Sequence, residues 1–481
     1  MITIRSRASR LRVPTLLFLT VALAFCARLG AAETARRGAT ETALDRYVAT
    51  PDAAFAWTKA ATAPEEGATS FTLDLVSQHW LTTAEVDRPE WRHWVTIARP
   101  DNLAHSTALL MIGGGTNGPG APPKTSRTLL EIARSTQSVV AELRMVPNQS
   151  IVFGGDGQPR KEDDLIAYTW DKYLRTGDER WPARLPMTKA VVRAMDAITA
   201  FLASEEGGRA KVDTYVVAGG SKRGWTAWTT AIVDQRVVAI CPLVIDVLNV
   251  EASFRHHFSA YGFYAPAVGD YVRHGVIDWM GTPESKALYA IEDPFSYRDR
   301  LALPKLMINA CGDQFFLPDS SQFYFDDLPG VKYLRYIPNT DHSLRNSDAN
   351  ATLTAWHHAI LNRTPLPQFS WKHGADGTLT VTTKTKPISA LLWQATNPTA
   401  RDFRLETFGP GWTSTPVEGA DGVFTANVAK PEQGWSAYLM ELSFDVGASA
   451  PLKLTTNVTI TPNTLPFDLP QPKSPQGFLR P

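Results

Sequence analysis

From residue 107 onward the apolar residues fall into two alternating rhythms. Runs at 108–112, 138–145, 213–218, 237–245, 306–311 and 332–337 are short, rich in Val, Ile and Leu, and bounded by glycine or polar residues, as buried strands are. Between them, 161–175, 187–203, a segment from Arg223 and 351–361 repeat apolar residues every three to four positions, the spacing of a helix with one face on a core. Strands separated by helices predict a mostly parallel sheet flanked by helices, because parallel neighbours need a crossover long enough to hold one. Two earlier runs, 71–80 and 91–97, have no helix between them and predict an antiparallel edge.

Two stretches break the rhythm. Residues 246–303 separate consecutive strands by far more than one short helix and are rich in aromatics and histidine, as expected of a lid-like insertion. After residue 366 helical spacing stops. Runs at 379–384, 389–394, 435–444 and 452–460, punctuated by Gly, Pro, Asn and Asp, predict a C-terminal all-β, sandwich-like domain over 367–463. A Pro-rich tail follows over 464–481. The predicted order is an N-terminal segment 33–66 carrying a helical pattern from Leu44 to Trp57, an α/β domain 67–366, the β-domain and the tail.

The first 32 residues read as an export signal. Arg5, Arg7, Arg10 and Arg12 precede an apolar stretch from Val13 to Ala27, and Gly30-Ala31-Ala32 offers small residues for cleavage. That stretch is short for a membrane span, so the reading places the protein in the periplasm or outside the cell, with no stable membrane insertion after cleavage. Basic and acidic residues balance at 48 each, which argues against a nucleic-acid partner. After cleavage two cysteines remain, Cys241 and Cys311, each in an apolar run. Buried thiols are the expected state, with a disulfide as the alternative in an oxidising compartment. No His/Cys cluster has structural zinc spacing, and no cofactor motif is present.

Chemistry concentrates where an apolar strand runs into Gly219-Gly220-Ser221 and a helix opens near Arg223. This is the layout of a nucleophile elbow, in which a serine sits on a strained strand-to-helix turn of an α/β-hydrolase fold. Gly219 and Gly224 supply the close approach of strand and helix, although Arg223 holds the position where the simplest motif has its second glycine. The bland reading is a glycine-rich turn with a capping serine. Downstream, 306–310 ends in Cys311-Gly312-Asp313 and 332–337 ends in Pro338-Asn-Thr-Asp-His342. The order serine, acid, histidine is that of the fold, and each candidate lies past the C-terminal end of a predicted parallel strand. Ser221 is the expected nucleophile, His342 its base, and Asp313 the carboxylate that fixes the imidazole tautomer. Asp319, after Pro318, is the alternative acid.

Acyl transfer also needs amides to meet a developing oxyanion. The amide of Lys222 and those of the glycine-rich loop 113–118, with Gly114 and Gly115 at its centre, are the candidates. Arg255, His256, Tyr261 and Tyr264 of the long insertion are candidate pocket residues, with packing of the insertion on the body as the alternative. Lys222 and Arg223 are candidates for binding an acidic group of the substrate or for pointing to solvent.

Several stretches resemble the PhoPQ-activated pathogenicity-related protein family, which counts an autocrine proliferation repressor among its members. They are Glu162 to Asp171 (EDDLIAYTWD), Trp181 to Pro186, Gly220 to Trp225, Pro242 to Asn249, Phe315 to Ser321, Pro338 to Ser343 and Asn397 to Phe403, spread over roughly 70–445. The resemblance implies an exported α/β-hydrolase-like protein with a C-terminal β-domain and supplies no substrate. The leading expectation is a serine hydrolase acting on a small ester or peptide. A binding or signalling protein with vestigial chemistry is the competitor, disfavoured because Ser, Asp, His and the glycine loop are all intact. Carbohydrate binding, suggested by 14 Trp and the β-domain, is a third reading.

Overall fold

The computed structural model describes residues 41–479 apart from 119, 123, 375, 471–474 and 476. The expected export signal and part of the tail lie outside the described residues.

The strands form where the alternation of side chains divides apolar residues between two faces. β1 (Ala56–Glu65), β2 (Ala68–His79) and β3 (Glu90–Pro100) are antiparallel. β3 pairs antiparallel with β5 (Val140–Leu143), which is parallel to β4 (Thr107–Ile112). β6 (Ile151–Val152) and β7 (Pro159–Arg160) make a small hairpin. From β4 the sheet continues in parallel through β8 (Thr214–Gly220), β9 (Val237–Leu243), β10 (Lys305–Ala310) and β11 (Lys332–Ile337). Leu109, Val216, Ala239, Cys241 and Ile308 enter one apolar cluster, and Leu110, Tyr215, Val217, Ile240 and Met307 the other. That is the period-2 division expected of a sheet covered on both faces.

Helices fill both sides. α1 (Ala43–Ala49), α4 (Arg184–Ala203) and α5 (Lys222–Val233) pack in the cluster that holds Leu110 and Val217, and α2 (Arg127–Thr136) and α9 (Ala349–Leu361) in the one that holds Leu109 and Val216. α3 (Glu162–Thr176) lies against the insertion, which holds α6 (Val250–Tyr261), α7 (Gly269–Arg273) and α8 (Pro283–Glu292) joined by short 3-10 turns. Trp279, Leu288 and Tyr297 are buried, so the insertion is a packed helical layer rather than an open flap.

The C-terminal region differs from an appended domain. β12 (Phe369–His373), β13 (Thr378–Thr383), β16 (Gly419–Ala420) and β17 (Val423–Asn427) form a four-stranded sheet. The facing strands, β14 (Ser389–Asn397), β15 (Thr413–Pro416), β18 (Trp435–Phe444), β19 (Leu452–Thr455) and β20 (Thr459–Thr461), extend the central sheet. The join is antiparallel, with Leu334 of β11 opposite Thr455 of β19. Leu379 and Val381 of the four-stranded sheet share a core with Leu392, Met440 and Leu442 and with Trp356 of α9, so the described residues from 42 onward are one compact unit. The expected boundary at 366 is therefore not a seam in the core. The N-terminal segment likewise belongs to the body, since β1 pairs with β2 along its length.

Cys241 and Cys311 are free and buried in opposite apolar clusters, which excludes the disulfide.

Candidate active site

Ser221 lies between β8 and α5 with φ 57° and ψ −128°, a conformation that non-glycine residues avoid. Its amide donates to the Leu243 carbonyl at 2.8 Å, tying the turn to β9. A Cβ on Gly219 would stand 2.7 Å from the Arg223 carbonyl oxygen, and one on Gly224 2.7 Å from the Gly219 carbonyl oxygen. Both contacts are with backbone, so both glycines are required for strand and helix to meet. Gly220 has no such demand, its nearest neighbour being Val244 Cγ2 at 3.9 Å.

Asp313 follows β10 and His342 follows β11, two adjacent parallel strands. Asp313 Oδ2 accepts from His342 Nδ1 at 2.8 Å. Its Oδ1 accepts from the Phe315 and Phe316 amides at 2.7 and 3.3 Å, so the carboxylate is buried and fully engaged. Phe315 packs on the imidazole with ring centroids 4.3 Å apart, and Phe316 lies at 5.9 Å. These two rings also line the cavity that contains Ser221, so the residues packed on His342 reach the serine's space although His342 and Asp313 do not themselves line it. Among the described residues Ser221 Oγ makes no hydrogen bond, to His342 or to any other group.

The alternative acid lies elsewhere. Asp319 accepts from His256 Nε2 at 3.0 Å and from Arg401 Nη2 at 2.6 Å. Burial pushes its pKa up, but His256 and Arg401 together hold it well below the ordinary value. Asp319 therefore does not orient His342. It ties the insertion to the C-terminal β-region.

The two basic residues at the elbow neither bind a free anion nor point to solvent. Arg223 makes a bidentate pair with Glu162 at 2.7 and 2.6 Å and donates through Nε to the Val146 carbonyl. Lys222 Nζ bridges Asp163 at 2.8 Å and Glu162 at 3.0 Å. Burial alone would raise the Glu162 pKa; Arg223 and Lys222 overcome it and hold this carboxylate far below its ordinary range. This four-residue network clamps the elbow helix to the N-terminus of α3. Sequence reasoning found the acidic segment EDDL but assigned it no role.

Met145 donates its amide to the Gly114 carbonyl at 2.9 Å, and Gln149 Nε2 donates to the Gly115 carbonyl at 2.9 Å, fixing the glycine loop beside the elbow. Gly115 has φ 132°, open to glycine and strained for other residues. Among the described residues the amides of Gly114, Gly115 and Lys222 donate no hydrogen bond.

The candidate pocket residues are placed differently from expectation. Arg255 pairs with Glu251 on its own helix, His256 with Asp319, and Tyr261 is buried under the Arg404 guanidinium. None of these, nor Tyr264, lines the Ser221 cavity; the insertion instead contributes Phe254, Val268 and Tyr271. The cavity is narrow, about 20 Å³, and is also walled by Trp170, Trp225 and Arg184. Arg184 lies 3.3 Å from Glu292, whose pKa is raised to about 7 because burial outweighs the neighbouring guanidinium. Among the described residues no three His, Cys, Asp or Glu side chains converge to hold a metal ion, and no helix is long and apolar enough to cross a membrane.

A strained serine at a strand-to-helix turn, with an Asp–His pair on the next strand ends, is the arrangement of the α/β-hydrolase fold. Solved structures similar to this chain include acetyl xylan esterase 1 from Thermoanaerobacterium sp. JW/SL YS485, 12% identical with TM-score 0.46 over 66% of this chain and 92% of that one. Another is an S-formylglutathione hydrolase from Agrobacterium tumefaciens, 15% identical with TM-score 0.40 over 63% and 99%. The chain is 38% identical to autocrine proliferation repressor protein A of Dictyostelium discoideum over 89% of its own length and 92% of the relative's. With the family model for PhoPQ-activated pathogenicity-related proteins matching residues 44–404, across the elbow, both strand ends and the Glu162–Arg223 clamp, the chain belongs to that family.

Proposed function

We propose that the protein is an exported serine hydrolase that cleaves a small ester or amide through an acyl-enzyme on Ser221. The observation that carries this reading is the Asp313–His342 hydrogen bond of 2.8 Å, made from a buried carboxylate and flanked by rings that also wall the serine's cavity. With Nδ1–H donated to Asp313, the imidazole presents Nε2 as the proton acceptor. Oγ and Nε2, unbonded in the free protein, must reach hydrogen-bond distance when substrate enters, since catalytic hydrogen bonds often tighten only in the complex. Nε2 takes the Oγ proton as Oγ attacks the carbonyl. The Lys222 and Gly114 amides, unbonded in the free protein, meet the oxyanion. The imidazolium then protonates the leaving alcohol or amine, and water enters by the reverse sequence.

A second reading, a hydrolase-fold binding or signalling protein, is favoured by one observation: a cavity of about 20 Å³ beside an unbonded serine holds little more than one water. Fluorophosphonate labelling of the full chain separates the two. The enzyme reading expects one covalent adduct, mapped to the Ser221 peptide by mass spectrometry and absent in Ser221→Ala and His342→Ala. A folded wild-type protein that takes up no label overturns it.

A further inference from the structure

The molecule's second notable cleft has no connection with acyl transfer. It lies where β12 meets the segment from Ser321 to Lys332, has a volume of about 450 Å³, and shares no lining residue with the Ser221 cavity. That volume falls within the range of about 300–1,000 Å³ typical of small-molecule sites.

Its wall is a row of aromatic rings built by strand geometry. Phe369, Trp371 and His373 alternate along β12 and therefore share a face. Tyr333 and Phe369 lie 6.1 Å apart with ring planes 16° from parallel. Phe369 and Trp371 are at 5.8 Å and 31°, and Phe325 and Trp371 at 5.5 Å and 33°. Tyr333 and Phe369 are stacked and Trp371 is tilted by 31° against Phe369 and 33° against Phe325, so the four rings make one aromatic wall of the cleft. The platform is held rigid: Asn457 Oδ1 accepts from Trp371 Nε1 at 2.6 Å and lies 2.9 Å from His373 Nε2. Both rings are fixed by one side chain before any ligand arrives.

The rim is polar, with Gln322, Asp326, Ser370, Lys372 and His373 exposed around the rings. It offers both donors and acceptors and only a small charge imbalance. Lys332, the other cation at the cleft, is already committed, donating to the Phe325 and Asp326 carbonyls at 2.6 and 2.8 Å. No arginine lines the cleft, so it lacks the fork that recognises phosphate or carboxylate. A flat apolar platform under a rim of mixed donors and acceptors matches a pyranose ring, which presents a face of C–H bonds and an edge of hydroxyls.

We propose that this cleft is a saccharide-binding site for a neutral oligosaccharide, with Trp371 as the stacking platform and His373 at the rim. It is independent of the chemistry at Ser221. β12 is also the edge of its sheet, so an extended peptide adding as a strand is the competing occupant.

The test uses the full chain carrying Ser221→Ala, so that nothing is consumed. Isothermal titration with cellohexaose, xylohexaose, mannohexaose and chitohexaose, and with an uncharged extended hexapeptide, reads the site. The expected result is binding of at least one hexasaccharide, weakened tenfold or more by Trp371→Ala and several-fold by His373→Ala. Circular dichroism checks each variant's fold, and His373, being exposed, decides the outcome should Trp371→Ala fail to fold. The proposal is overturned if no hexasaccharide binds, if binding survives both substitutions, or if only the peptide binds in a Trp371-dependent way.

Discussion

Replacing each candidate acid by its amide separates catalysis from architecture. In Asp313→Asn the Phe315 and Phe316 amides, 2.7 and 3.3 Å from Oδ1, still demand an acceptor, so the new side chain must keep its oxygen there. Its NH₂ group then faces His342 Nδ1, where Oδ2 had accepted at 2.8 Å. A donor meeting Nδ1 makes that nitrogen the acceptor and puts the imidazole proton on Nε2, the atom that must receive the serine proton. Loss of a hydrogen bond to a charged group alone is worth about 1.5–3 kcal/mol, or roughly ten- to a hundredfold in rate. The wrong tautomer adds more; the same replacement in a serine protease lowers turnover by about 10⁴. The fluorophosphonate labelling rate of Asp313→Asn should therefore fall by about 10³–10⁴ while the protein stays folded. In Asp319→Asn the charged partner of Arg401 and His256 disappears from a buried site, at a cost of about 3–5 kcal/mol in urea unfolding. Its labelling rate per folded molecule should match wild type. Wild-type labelling by Asp313→Asn within a factor of about ten, or collapse of labelling in folded Asp319→Asn, would refute the assignment.

Gly224→Ala should lower stability by several kcal/mol, because its Cβ would stand 2.7 Å from the Gly219 carbonyl oxygen and 3.0 Å from Ile245 Cγ2. Gly220→Ala, with nothing closer than 3.9 Å, should stay within about 1 kcal/mol of wild type in the same urea titration. Asp246, buried and bonded by the Tyr324 and Tyr336 hydroxyls, has its pKa raised to about 7 by burial, so the native state holds this proton where the unfolded chain has released it. Its contribution is complete below the unfolded value near 4 and is lost as pH rises to about 7, at up to about 1.4 kcal/mol per pH unit; Asp246→Asn should remove that slope from stability–pH profiles. The Asp319 carboxylate carries the opposite sign: stability it provides is present above about pH 4 and lost as pH falls below that, an acid-unfolding limb that Asp319→Asn should flatten. Cys241 and Cys311, buried with thiol pKa values raised by desolvation, should leave the melting temperature unchanged by dithiothreitol and react with a thiol reagent only on unfolding.

The parallel strands were legible because each is a short, largely apolar run that ends in glycine or polar residues. The runs at 213–218, 306–311 and 332–337 become β8, β10 and β11 within a residue or two. The elbow was legible for the same reason, since steric demand at Gly219 and Gly224 is written in the residues themselves. The choice between Asp313 and Asp319 was not. Both follow β10 in the same turn, and what divides them is the chain 63 and 82 residues away, where His256 and Arg401 claim Asp319.

The insertion shows a different failure, one that helix periodicity explains. Arg255 and His256 are chemically conspicuous, but neighbours on a helix point about 100° apart and cannot both face one cavity. Phe254 and His257, three apart and so on one face, both line the space beside Asp246 and Phe316, and Phe254 also reaches the Ser221 cavity. Spacing from a buried anchor was the better guide than residue type. The same logic exposes the missed continuity of the C-terminal region with the central sheet. The segment WSAYLMELSF of β18 is buried at every position after Trp435, without the in–out alternation of a sandwich strand facing solvent. A strand apolar on both faces must be covered on both. Its Tyr438, Met440, Leu442 and Phe444 pack toward the four-stranded sheet's core while Ala437 and Leu439 join the cluster under α4 and α5. The C-terminal layer is thus a structural extension of the sheet that presents Ser221, and truncation near residue 366 would strip the cover from β11, the strand that leads into His342.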